Sequence, residues 1–237
     1  MSSVFEPASR LNFRQWLFPL SLVLFEFATY IAHDMIQPGM LQVISDFSAS
    51  ADWVSTSLTA YLCGGILLQW LLGPLSDRLG RRPVLLAGVA FFTVTCLLTV
   101  FTRSIEQFIL MRFLQGMSLC FIGAVGYAAI QEAFSETLSV RLMALMANIT
   151  LIAPLLGPLA GAAFIHYAPW KAMFVLFSVI SALAFWGLWR SMPETATEYD
   201  ERYSVHRLLT DYRTDFTNEG VVYGSLSIGL LLLPLLA

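Results

Sequence analysis

Two acids, a tyrosine and an arginine stand where charge and polarity are costly. Glu26, Tyr30 and Asp34 follow one another at four-residue intervals in an otherwise apolar stretch, and Arg112 lies inside another. Side chains four apart on a helix stack along one face, so the first three form one slowly drifting stripe. A carboxylate or guanidinium near mid-bilayer costs roughly 2.5–3.5 kcal/mol on insertion scales, so groups kept there have a reason to be. At 1.5 Å per residue, Glu26 falls ~15 Å into its span and Asp34 about 12 Å further out. Arg112 falls ~10 Å from the outer end of its own span, close to the depth of Asp34. The two are therefore expected to pair or to share a water-filled cavity. A carboxylate held between apolar burial and a nearby arginine can take up and release a proton, and proton uptake can trade against binding of a guest. Glu26 and Asp34 are the expected coupling acids, with Arg112 biasing Asp34. Tyr30, Tyr127, Met146 and Leu236 are the expected apolar and aromatic walls for a guest. Walls of that kind with few polar anchors discriminate poorly. The alternative is that the three charges only stabilise a helix bundle and that Tyr127 and Met146 are core. His33, next to Asp34, is either a proton relay or a spectator.

The elements that must position these residues follow from composition. The chain has 237 residues, 57% apolar and 12% charged, with a mean hydropathy of +0.72. Soluble domains run roughly 45–50% apolar and about 25% charged. A disordered chain, a disulfide-stapled module and an ordinary water-soluble enzyme are excluded. The net charge of −3 advertises no nucleic-acid surface. Cys63, Cys96 and Cys120 all sit in apolar runs and read as packing. No Ser-His-Asp arrangement, metal-ligand cluster or phosphate loop is visible, so neither catalysis nor a metal is expected. Backbone groups in lipid must bond internally, which makes apolar stretches of about 20 residues helices. Six are expected at about 16–39, 53–76, 84–102, 107–131, 142–166 and 171–190. A polar linker over 191–219 and the start of a seventh helix over 220–237 follow.

Arginine placement sets the expected orientation. Arg10, Arg14, Arg78, Arg81, Arg82, Arg141, Arg190, Arg202, Arg207 and Arg213 fall on one side. Only Arg103 and Lys171 fall on the other. The N-terminus is therefore expected in the cytoplasm. A cleaved signal peptide is not expected, because the apolar pattern runs past Glu26 with no clean small-residue cleavage site.

Three motifs remain. Gly73-Pro74-Leu75-Ser76-Asp77-Arg78-Leu79-Gly80-Arg81-Arg82-Pro83 lies between spans two and three. Its glycines allow tight turning, Asp77 can accept from Arg81, and its arginines hold the loop at the membrane surface. Glu132 is expected to reach Asp77 or Arg81, or to be a snorkelling surface acid. Arg112-Phe113-Leu114-Gln115-Gly116 sits in span four. Ala153-Pro154-Leu155-Leu156-Gly157-Pro158-Leu159-Ala160-Gly161 sits in span five, with Gly157 and Gly161 on one face and two prolines that can bend the helix.

Together these motifs resemble the major facilitator superfamily. The span-five motif is similar to that of its proton-coupled antiporters. Leu24–Phe27, Asp34–Met40, Phe121–Glu132 and Met192–Thr197 are similar to a multidrug/proton antiporter branch. The resemblance implies an all-α polytopic bundle over 1–190 built from three-plus-three inverted repeats, with a truncated seventh helix. It implies proton-coupled efflux of lipophilic cationic and neutral drugs by alternating access, driven by the proton gradient without a cofactor. It assigns Gly73, Asp77, Arg78, Gly80 and Arg81 to a cytoplasmic gate, and Pro154, Gly157, Pro158 and Gly161 to an antiporter motif. The expected surroundings are a bacterial inner membrane and a second half in the same or another chain. A truncated or split half-transporter without independent transport is the alternative.

Overall fold

The computed structural model describes residues 13–196 together with 217 and 223. The chain divides into a unit over Met1–Tyr199 and a second over Asp200–Ala237. In the second, Thr217 and Tyr223 lie in helix. The expected linker beyond residue 196, the seventh helix and Leu236 lie outside the described residues.

Every described element is helical. Span one starts with α1 (Phe13–Asp34) and passes through a 3-10 turn (Gln37–Gly39) into α2 (Met40–Asp46). It therefore runs beyond the expected 39. Pro38 sits in the first positions of the 3-10 turn, where a missing N–H costs nothing, so the chain resumes as helix after it. Span two is α3 (Asp52–Leu67) followed by α4 (Gln69–Leu79), bent 42° at Leu68. Span three is α5 (Arg81–Val100). Span four joins α6 (Ile105–Gly116), α7 (Ser118–Phe121), a π-helical turn (Ile122–Gly126) and α8 (Tyr127–Ala133). Spans five and six are α9 (Glu136–Tyr167) and α10 (Trp170–Ser191). The helix α9 runs through Pro154 and Pro158 without a break.

Five of these spans are long and apolar enough to cross a bilayer, and the bent α3–α4 pair makes a sixth. Span one is central, with 56% of its most apolar window buried, and α9 is peripheral, with 22%. The first helix packs on both α9 and α10, α5 packs on α10, and α3 packs on α6. Between lipid-soluble helices burial gives little drive, so close backbone approach and hydrogen bonds hold the bundle. Thr93 on α5 and Ser181 on α10 share one such bond at 2.9 Å. At the end of α2, Asp46 Oδ2 accepts the Trp170 indole N–H at 2.8 Å, and the ring stacks edge-on with Phe47, Phe108 and Phe174.

Candidate functional site

The interior acids lie on α1, the most enclosed helix. Glu26 is 1% exposed and Asp34 5% exposed. Each has one oxygen engaged. Tyr127 donates its hydroxyl to Glu26 Oε1 at 3.0 Å, and the Gln37 amide donates to Asp34 Oδ1 at 3.2 Å. Their other oxygens, Glu26 Oε2 and Asp34 Oδ2, are buried without a hydrogen-bond partner among the described residues. Tyr30 is half-buried between the two acids, and Met146 is fully buried in the core.

The Gly157–Gly161 face of α9 packs directly behind Asp34. A Cβ on Gly157 would overlap Asp34 Cβ, and one on Gly161 would overlap the Met35 carbonyl oxygen. Only glycine lets α9 come this close to α1. Pro154 lies exposed on the same helix, and Pro158 is half-buried.

Arg112 does not pair with Asp34. No ion pair joins them among the described residues; instead Nη1 donates to the Ala32 carbonyl at 3.2 Å and to Gln115 Oε1 at 3.0 Å. Its guanidinium carbon lies 4.3 Å from the Tyr61 ring centroid. A desolvated cation over an aromatic face is stabilised by roughly 2 kcal/mol or more, which helps a fully buried arginine persist. Tyr61 is held in turn by its hydroxyl bond to the Thr29 carbonyl (2.8 Å) and by the His33 ring, 4.9 Å away. Equal depth gave no azimuth: Asp34 abuts α9, whereas Arg112 on α6 meets the backbone of Ala32. His33 Nε2 is 4.0 Å from Asp34 Oδ1. Sequence reasoning missed Tyr61, because α3 carries no periodic signal that marks one face.

At the Arg81 end the polar groups are far more fully engaged. Arg81 contacts Asp77 Oδ1 (2.6 Å), Glu132 Oε1 (2.9 Å) and Oε2 (3.3 Å), and Ser76 Oγ (2.5 Å). Glu132 thus takes the expected contact to Arg81. Arg78 is exposed, and Gly73 is half-buried with open space around it. Gly80 turns the chain at φ +99°, a conformation that disfavours any Cβ. Being a glycine, it offers no side-chain cap to α5. Glu194 does so from the far end of the sequence, accepting the Arg81 N–H at 2.8 Å and the Arg82 N–H at 3.3 Å. An anion at a helix N-terminus satisfies orphan donors and the helix dipole together. Thr195 adds a 2.7 Å bond to Glu132, and the Arg82 guanidinium donates to the Trp189 carbonyl at 2.7 Å. Glu194 and Thr195 lay within a motif used only for resemblance. The available signal was an acid just after span six with arginines due on the same side.

Six apolar spans enclosing two acids and an arginine define a polytopic membrane protein built like one half of a helical carrier. The chain belongs to the Major Facilitator Superfamily, whose description matches residues 22–237. It is 64% identical over 237 residues to the multidrug transporter MdfA of Yersinia pestis bv. Antiqua (strain Angola), covering all of this chain and 58% of that relative. It is 59% identical, with the same coverage, to the multidrug transporter MdfA of Escherichia coli O6:H1. The chain thus spans little more than half the length of these curated relatives, which are transporters by name and not enzymes. The crystal structure of the human organic anion transporter MFSD10 (TETRAN) matches with a TM-score of 0.60 at 18% identity, covering 86% of this chain and 53% of that one. That likeness concerns the fold.

Proposed function

We propose that this chain supplies the proton- and drug-handling half of a secondary multidrug exporter. Lipophilic cations and neutral drugs leave the cell as protons enter by alternating access, and the proton gradient drives the cycle without a cofactor. The observation that carries the reading is the state of Glu26 and Asp34. Both are buried in an apolar bundle, and each has one oxygen with no partner among the described residues. A charged carboxylate so placed is destabilised unless a cation joins it, and a proton or a cationic drug can each fill that role. Competition between the two is the exchange. Tyr30 and Tyr127 offer aromatic surface beside the acids, which suits neutral guests as well. The Arg81 end is cytoplasmic on the arginine distribution, in a bacterial inner membrane, with the N-terminus on the same side. The relatives' further length stands for the second wall of the substrate path, in the same chain or another.

The test uses Glu26→Gln and Asp34→Asn, singly and together, in a transporter carrying this sequence and the remaining spans of its relatives. Drug efflux and drug-induced proton flux are measured in inverted vesicles. The double variant is expected to lose proton-coupled efflux by at least tenfold, the effect of about 1.4 kcal/mol or more on the coupled step. Unchanged coupled efflux would end the assignment. Activity of the 237-residue chain alone in a resistance assay would show that no second half is needed; inactivity would leave it a half-transporter.

A further inference from the structure

The two polar regions meet on one short helix. The first residue of α8, Tyr127, bonds Glu26 in the interior. Five residues on, Glu132 accepts from Arg81 and Thr195 at the bundle's end. Their backbones lie ~7.5 Å apart along the helix. Non-α backbone bounds α8 on both sides. Before it runs the π turn Ile122–Gly126, and after it Phe134 is extended (φ −115°, ψ 161°). A π turn holds an extra residue and recurs at functional sites in helices. Tightening it to α would rotate α8 by roughly 100° and shift it by about 1.5 Å. That motion displaces Tyr127 from Glu26 and Glu132 from Arg81 together.

A second joint sits beside the first. The α3–α4 bend at Leu68 is followed by Gln69, whose amide nitrogen lies 3.7 Å from where a Cβ on Gly123 in the π turn would stand. The Cys120 thiol donates to the Gly65 carbonyl at 3.0 Å, tying span four to the helix just before the bend. Beyond the bend, α4 carries Ser76 and Asp77, which also hold Arg81. Both helix pieces that grip Arg81 therefore begin at neighbouring joints.

We propose that Tyr127 is a positioning residue that acts through α8, so that its bond to Glu26 keeps the Arg81–Glu132 contact closed. The inference rests on the transport reading for its purpose, but its test needs neither substrate nor gradient. Both ends ride on one rigid piece, so the coupling is reciprocal: releasing either end releases the other. The interior acid's partner is thereby read at the membrane surface.

Spin labels go on Leu79→Cys at the end of α4 and Gln131→Cys on α8, both exposed positions, with exposed Cys63 replaced by alanine. Distances are measured by pulsed electron resonance in lipid nanodiscs on the full chain. Tyr127→Phe keeps the ring and loses only the hydroxyl. It is expected to raise the separated population about tenfold, the scale of one hydrogen bond to a charged group. Glu26→Gln keeps an acceptor and is expected to stay closed, whereas Glu26→Ala is expected to open. Arg81→Gln opens the pair directly, and adding Tyr127→Phe to it is expected to change little further. An unchanged distance in Tyr127→Phe overturns the proposal, as do effects of Tyr127→Phe and Arg81→Gln that multiply as for independent sites. Loss of efflux in Glu26→Gln with the distance still closed supports both readings; an open distance in Glu26→Gln overturns the lever, and unchanged efflux with the distance closed ends the proton-exchange reading alone.

Discussion

The interior of the bundle and its Arg81 end use the same residue types to opposite effect. At the Arg81 end, one guanidinium reaches Asp77, Glu132 and Ser76, and Glu132 also takes Thr195. In the interior, Glu26, Asp34 and Arg112 each keep a buried polar atom without a partner among the described residues. A network with its charges matched is a fastening, because losing one member strands the others. A site with spare donors and acceptors responds to whatever arrives. The difference teaches that acids in one small domain take different roles from their surroundings, not from their own chemistry.

That comparison can be broken by mutation. Gly161→Ala should do most harm, because the new methyl meets the Met35 backbone, which cannot rotate away. We expect a loss of about 3 kcal/mol of unfolding free energy in mild detergent, at the upper end for overpacking. Gly73→Ala, with open space around it, should change stability by less than ~1 kcal/mol. Arg81→Gln should cost about 2 kcal/mol, since it takes the charge partner from a half-buried Glu132 and leaves it only the Thr195 bond. Asp77→Asn should cost under ~1 kcal/mol, because that acid is 51% exposed and its pairing is screened. Chemical unfolding at low and high salt checks this pair, and the Asp77 effect alone should shrink with salt.

Glu26→Gln and Asp34→Asn should move stability least, by within ~1 kcal/mol and with either sign. Neutralising a buried acid that lacks a full partner set removes a desolvation cost along with a bond. If both variants unfold as readily as Arg81→Gln, the interior acids are structural and the contrast between the two regions fails.

Composition and span length were enough to establish a membrane bundle, because lipid leaves the backbone one way to satisfy itself. The placement of Arg112 was legible in depth but not in direction. Pitch and rise give a residue's height, whereas its partner depends on which helix faces it. Thus Asp34 rests on Gly157 of α9, and Arg112 turns to Tyr61 of α3. Most span ends also ran long, since polar residues such as Glu136 and Asp46 extend the helices beyond the apolar core, whereas span three stops at Val100, short of the expected 102.

By itself, the sequence determined that charge would be held inside an apolar helical bundle, and it spaced Glu26 and Asp34 along one face. Only the tertiary structure decided that Tyr127 would meet Glu26 and that Glu194 would cap α5 from 113 positions away. Local periodicity is fixed by the chain's own backbone geometry, but contacts between helices depend on how neighbours rotate and bend. A π turn and a 42° bend, which no residue pattern announced, set those rotations here.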